Sequence, residues 1–208
     1  MTDPKRPIAF RFRGYLPVVI DLETGGFNSA TDALLEIAAT IIDMNDEGQL
    51  VRGETIFHNV EPFKGANIEQ ASLDFTGIDP DNPLRMAIPE KDALMDVFQG
   101  VRRAVRETGC QRAILVAHNA AFDQGFLNRA SDRCNIKRNP FHPFSSFDTA
   151  TLCGLAYRQT VLARACEVAG ISFDADEAHS ALYDCEKTAD IFCSIVNKWK
   201  ELGGLMQH

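Results

Sequence analysis

The stretch Val18-Val19-Ile20-Asp21-Leu22-Glu23 constrains the fold more than any other part of the chain. Three consecutive β-branched apolar residues suit a strand that is buried on both faces. The same run then delivers two carboxylates one residue apart. Side chains at i and i+2 of a strand point to one side, so Asp21 and Glu23 must project together and repel each other. Burying even one carboxylate is expensive unless something neutralises it. Either the strand ends early and both acids are solvated, or something positive sits between them.

The rest of the chain can build a core around that strand. It has 208 residues, 45% of them apolar, with no internal repeat or long linker. A single domain over residues 1–208 is expected, its motif-bearing core covering about 16–200. Residues 34–43 are apolar up to a turn signal at MNDEGQ, and residues 54–60 alternate. Both read as strands, and the short turns suggest an antiparallel meander. Residues 90–109 place Leu94, Val97, Phe98, Val101 and Val105 at the helical period, with Gly109 as a stop. Residues 113–118 form another apolar strand, followed by a helix for which Asn119 is the expected N-cap. SSFDTATL reads as a short fifth strand running into helix. Residues 180–200 place Leu182, Cys185, Ala189, Phe192, Val196 and Trp199 at alternating spacings of three and four, as in a long amphipathic helix. The pattern predicts an α/β domain with a mixed five-stranded sheet: three antiparallel strands, then strand–helix alternation.

Two other places set acid beside a core element. Asp123 falls in the first turn of the helix after the 113–118 strand, and Asp184 follows His179 by five residues. On one regular helix that spacing turns the pair apart by about 140°. They can reach one point only if His179 lies in the loop before the helix. Taken singly, each feature is ordinary. A D-x-E triplet is more often solvated than catalytic, an acid in a first turn suits the helix dipole, and a lone histidine is more often a structural hydrogen-bonder than a base. Their joint appearance, in order and beside core elements, fits a pair of divalent cations. Mg²⁺ and Mn²⁺ prefer carboxylate oxygen and water. Two such ions about 4 Å apart clamp the attacking and leaving oxygens of a phosphodiester. A histidine suits removal of a proton from the attacking water.

DLET (21–24), HNAAFD (118–123) and HSALYD (179–184) resemble the three motifs of the DEDDh exonuclease family, and together they span most of the chain. That family has an RNase H-like fold and cleaves 3′→5′. The longer stretches VVIDLETGGFN, DALLEIAA, VEPFKGAN, GIDP and RNPFHPFSSFDTA resemble the branch that trims RNA 3′ ends, tRNA among them. The resemblance implies a hydrolase that releases 5′-mononucleotides from RNA 3′ ends, with single-stranded DNA as a further substrate. Carried over by motif position, Asp21, Glu23 and Asp184 become metal ligands, Asp123 completes the acidic set, and His179 is the general base. Two Mg²⁺ ions, replaceable by Mn²⁺, are the implied cofactors. Glu23 also matches the glutamate that meets the terminal sugar hydroxyl. Phe27, Phe75, Phe122 and Phe144 match phenylalanines that stack on the last bases, a contact worth about 1–3 kcal/mol per base. Most of the fourteen phenylalanines must serve the core. Phe27 is best placed as a wedge, following Gly25-Gly26 in a loop beside the acids. One position departs from the family: its base-contacting glutamate falls at Ala71, and Glu69 is the nearby candidate to replace it. Two kinds of alternative stay open. One is another member of the family, a proofreading subunit of a DNA polymerase or an oligoribonuclease. The other is a non-catalytic nucleic-acid-binding module, which should have lost a ligand or the base, whereas all five positions are filled.

Charge and cysteine content narrow the setting. A net charge of −8 argues weakly against a polyanionic partner, but nucleic-acid affinity depends on local patches. The basic residues cluster: Lys5, Arg6, Arg11 and Arg13; Arg102, Arg103, Arg106 and Arg112; Arg129, Arg133, Lys137 and Arg138. Solvated surface charge is the ordinary reading of any one cluster. Arg11, Arg13, Arg106, Arg112 and Lys137 are the expected contacts to the RNA backbone. The resemblance implies a homodimer in which such segments serve the partner's active site. The six cysteines form no CxxC pair and no zinc-ligand spacing, so reduced thiols are expected. No run approaches the roughly 18 apolar residues of a membrane span, and the N-terminus lacks an apolar leader. A cytoplasmic protein without a membrane partner is expected.

Overall fold

β1 (Tyr15–Thr24) occupies the middle of the sheet, and Leu16, Val18, Val19 and Ile20 are wholly enclosed. This computed structural model describes residues 8–204, so Lys5 and Arg6 of the first basic cluster lie outside the described residues. β2 (Leu34–Met44) pairs antiparallel with β1, placing Asp21 opposite Ala38 and Glu23 opposite Glu36. β3 (Leu50–Glu61) continues the expected meander after a turn in which the Asn45 side chain accepts from the Glu47 and Gln49 N–H groups. β5 (Arg112–Ala117) runs parallel to β1 on its other side, and β6 (Phe141–Asp148) runs parallel to β5.

Among the described residues the sheet has six strands rather than the expected five. β4 (Ile88–Pro89) joins β3 in parallel, giving the order β4-β3-β2-β1-β5-β6. Two residues carry no alternation to read, which is why the strand is invisible in the sequence. β6 starts earlier than the SSFDTATL pattern suggests and contains Pro143. A proline is tolerated there because β6 is an edge strand.

Helices cover both faces. α2 (Glu90–Glu107) buries Leu94, Val97, Phe98 and Val101. α6 (Ala181–Glu201) buries Cys185, Ala189 and Phe192 and crosses β1, β2 and β3. Neighbouring residues of β3 show the division: the Thr55 hydroxyl reaches Glu186 on α6, while Ile56 lies against Gly100 on α2. Adjacent strand residues point to opposite faces. α3 (Ala120–Arg133) follows β5 as expected, but Asn119 does not cap it. Its backbone is left-handed (φ 70°) and its side chain makes no capping bond; its N–H donates to Asp148 Oδ1 at 3.1 Å. α4 (Thr149–Tyr157) is the helix expected after the fifth strand, and two short helices, α1 (Gln70–Thr76) and α5 (Leu162–Ala169), add to the expected set. α1 buries no residue fully, so it leaves no periodic signal. α4 and α5 pack against α6 around Cys153, Ala165, Cys166 and Ile191. All six cysteines are free thiols. Among the described residues, no helix is long and apolar enough to cross a membrane.

Candidate active site

The acids meet where β1 and the first turn of α6 converge. Strand alternation puts Asp21 and Glu23 on one side of β1, and α6 brings Asp184 to them. One oxygen from each of the three lies within 4.8 Å of the others. Asp123, in the first turn of α3, is 4% exposed; burial raises its carboxyl well above the usual range, opposed by the backbone N–H groups of its own residue and of Leu22. It stands outside the close trio but adds its charge to the field at Asp21 and Glu23. His179 lies in the loop before α6, as the five-residue spacing requires. Its side chain is exposed, its φ is 66°, and its N–H donates to Asp184 Oδ2 at 3.1 Å. The imidazole rests on Phe75, with ring centroids 4.0 Å apart.

The four acids distort one another's titration. Burial, and then Asp123, Glu23, Asp184 and Glu36, raise Asp21 well above the usual carboxylate range. Burial, followed by Asp184, Glu36 and Asp123, pushes Glu23 up to about 9. Burial also raises Asp184, against the opposing pull of the His179 N–H and of the nearby histidines. Asp184 Oδ1 is buried and has no hydrogen-bond partner. An all-oxygen donor set with one unpartnered oxygen and mutual repulsion matches what a hard divalent cation requires. The residues fit the metal that the sequence implied.

A groove of about 410 Å³ opens beside Glu23. Phe27, Phe75 and Phe122 stand on its wall, together with Glu69 and Ala71. Phe27 is 84% exposed and Phe75 65% exposed. Folding leaves a large apolar ring in water only at some loss, so rings of this kind mark binding surfaces when they gather. Phe27 and Phe122 meet edge to face at 6.2 Å. Phe144 does not join them: it projects from β6, packed against His142 at 4.6 Å, and is not on the groove wall.

A family model for exonucleases matches residues 18–192. The chain belongs to the exonuclease family. Ribonuclease T of Hahella chejuensis is 65% identical over 201 residues, covering 97% of this chain and 92% of that protein. Among solved structures, a full-length 3′-exonuclease superposes with a TM-score of 0.68 at 18% identity, over 88% of this chain and 82% of the other. E. coli exonuclease I in complex with a dT13 oligonucleotide superposes with a TM-score of 0.67 at 17% identity. The match covers 91% of this chain and 43% of that one, so this chain spans less than half the length of that nuclease. The mixed sheet with its flanking helices is thus the RNase H-like fold of the exonucleases, and the chain is a hydrolase acting on nucleic acid.

The residues expected to contact the RNA backbone lie at the other end of the exonuclease's sheet. Arg112 opens β5 in register with Tyr15, the first residue of β1, and Arg13 lies just before it. Asp21 lies six residues along the strand from Tyr15, about 20 Å of chain. Arg106 and Lys137 are exposed near the same edge; Arg112 reaches the Asn139 carbonyl at 3.4 Å. Arg11 is the exception. Its Nη2 donates to the Gly48 carbonyl at 2.6 Å, which commits its guanidinium to the β2–β3 turn.

Two further acids escaped the sequence reading. Asp32 is 1% exposed and accepts from the Asn28 N–H (2.8 Å), the Thr31 hydroxyl (2.7 Å) and the Asn67 side-chain amide (3.0 Å). It knots the loop that carries Phe27 to the segment leading into α1 and Phe75. A Cβ on Gly26 would lie 2.2 Å from Asp32 Oδ2, so only glycine fits beside that carboxylate. Glu36, inside β2, is 9% exposed and accepts the Ala181 N–H at 3.1 Å. The available signal was an acid at each end of the apolar run DALLE.

Proposed function

We propose that this exonuclease removes nucleotides one at a time from RNA 3′ ends, hydrolysing phosphodiesters and releasing 5′-mononucleotides. One observation carries the reading: three carboxylates within 4.8 Å of one another beside an exposed histidine, at a groove walled by phenylalanines. Asp21, Glu23 and Asp184 would hold two Mg²⁺ ions, or Mn²⁺ in their place, with Asp123 completing the acidic set. Ions bound there stabilise charge on the phosphodiester and favour ionisation of water. His179 accepts the proton of the attacking water; its place in a loop, outside helix α6, lets the ring approach the acids without displacing a ligand. Glu23 meets the terminal sugar hydroxyl, which lies at the groove it lines. Phe27, Phe75 and Phe122 stack on the terminal bases, and such stacking tolerates any base because each has a π-face. Phe144, which projects from β6 outside the groove, stacks in this reading on a base that lies beyond it.

The identity to ribonuclease T supports RNA as the substrate, with trimming of tRNA and other stable RNA 3′ ends in the cytoplasm. Single-stranded DNA is the second substrate to test, since E. coli exonuclease I was crystallised with dT13. Arg13, Arg106, Arg112 and Lys137 hold the RNA backbone. They lie a strand's length from the acids of their own subunit, which favours a homodimer in which they serve the partner's site. The catalytic set lies in a single domain in this reading, expected over residues 1–208.

A stem-loop RNA with a short 3′ overhang, incubated with Mg²⁺ and resolved to single nucleotides, tests the reading. The expected product is a ladder shortened from the 3′ end together with 5′-mononucleotides. Activity that persists in excess EDTA, or release of 3′-phosphates, rejects it.

A further inference from the structure

Glu36 is a buried carboxylate that the proposed chemistry leaves unused. It lies on β2 directly opposite Glu23. Like charges facing each other across a sheet destabilise it, and burial adds to the penalty. Two contacts offset this. Its Oε2 accepts the Ala181 N–H at 3.1 Å. Arg85, held by its own bond to the Leu35 carbonyl at 2.8 Å, lies close enough to favour the Glu36 charge.

Ala181 is the first residue of α6, and a first-turn N–H has no partner inside its own helix. Ser180 occupies the N-cap without making a side-chain capping bond. Glu36 therefore supplies from the sheet the acceptor that the local sequence does not. The joint it fastens carries the chemistry: His179 stands two residues before Ala181 and Asp184 three after, with the His179 N–H bonded to Asp184. We infer that Glu36 is a positioning residue: by accepting the Ala181 N–H it pins the start of α6 to β2 and so sets His179 and Asp184 against Asp21 and Glu23. The inference rests on the roles proposed above for His179 and Asp184.

Three substitutions separate reach from charge. Glu36→Gln keeps an acceptor oxygen at the same distance and removes the charge. Glu36→Asp keeps the charge but falls one methylene short of Ala181. Glu36→Ala loses both. On a dinucleotide substrate in Mg²⁺, kcat should fall about 10²-fold in Glu36→Asp, the scale of a 1 Å misplacement, and stay within about threefold of wild type in Glu36→Gln, with KM steady in both. Amide exchange at Ala181 and Asp184, measured without metal, should quicken in Glu36→Asp and Glu36→Ala but not in Glu36→Gln, while Val19 in the sheet stays protected. If Glu36→Ala does not fold, the Gln and Asp variants still decide. A loss in Glu36→Gln as large as in Glu36→Asp makes the charge the operative feature and overturns the anchor. Wild-type kcat in Glu36→Asp, or unchanged exchange at Ala181, overturns it as well. His179→Ala in the same assay isolates the underlying reading: full activity there refutes the site roles, while the exchange data report on the anchor independently.

Discussion

Asp32 and the Asp21–Glu23–Asp184 set lie at the same end of the same sheet, and the fold treats them in opposite ways. Burial alone would raise Asp32, but bonds from the Asn28 N–H, the Thr31 hydroxyl and the Asn67 amide outweigh it and hold the carboxyl below its ordinary value. In the other set burial and mutual repulsion act together, and Glu23 rises to about 9. A carboxylate whose two oxygens both accept hydrogen bonds, as in Asp32, is a structural part. Carboxylates that face each other with a buried oxygen unmet are a place kept ready for something positive, at a standing loss of stability.

Catalysis gives the largest test of that contrast. His179→Ala should lower kcat by about 10²–10⁴-fold, the usual contribution of a general base, while calorimetry finds Mn²⁺ binding nearly intact. Asp21→Asn should lose Mn²⁺ binding itself. Equal loss of binding in the two would make His179 a ligand and not a base.

Stability comes next, and here the two regions should move in opposite directions. Asp32→Ala strands three donors in a buried loop and should remove about 2–4 kcal/mol in urea denaturation, given roughly 1–3 kcal/mol for each unmet buried group and some relaxation. Asp184→Asn, without metal, should instead gain about 0.5–1 kcal/mol by relieving repulsion. Destabilisation of the metal-free protein by both changes would erase the distinction.

The pH dependence sharpens it further. The folded-state pKa of Glu23, about 9, lies above its ordinary 4.5. Its contribution to stability is therefore complete below the lower value and lost as pH rises through the upper one. The thermal midpoint of the metal-free protein should fall between these limits, and Mg²⁺ should restore it most at the alkaline end. Asp32 has the reverse sign: its contribution is present above the unfolded value and lost as pH falls through the depressed folded one. A midpoint that does not fall toward alkaline pH, with or without Mg²⁺, would remove the electrostatic half of the comparison. The smallest expected effect belongs to the far end of the sheet. Arg106→Ala and Lys137→Ala should each flatten the salt dependence of RNA binding by about 0.7–0.9 in slope. An unchanged slope would return both residues to ordinary surface charge.

Asp21, Glu23, Asp123 and Asp184 were legible because each sits at a fixed offset from a strongly periodic element, and strand alternation or first-turn placement then fixes where it points. The loop position of His179 was legible as a condition, since no single helix could satisfy the spacing. Glu36 was hidden because its partner Ala181 lies 145 residues away; Asp32 takes two donors from its own loop, Asn28 and Thr31, but the third, Asn67, lies 35 residues away. The same holds for Arg11, whose acceptor Gly48 is 37 residues away. β4 and α1 are too short to show a period. Asn119 misled because its residue type suits a cap while the bond it actually makes runs to Asp148.

His179 occupies left-handed backbone, φ 66°. A residue with a β-carbon lies about 1–2 kcal/mol higher there than in the right-handed region, whereas glycine carries no such penalty. Selection for backbone ease alone would therefore favour glycine at this position. Under the role proposed for His179, a descendant with every acid in place but glycine at residue 179 would gain backbone ease, lose the packing of the ring on Phe75 and be silent as a nuclease. One backbone angle thus serves as a record of use: a histidine stays in that conformation for as long as a lineage still needs the imidazole.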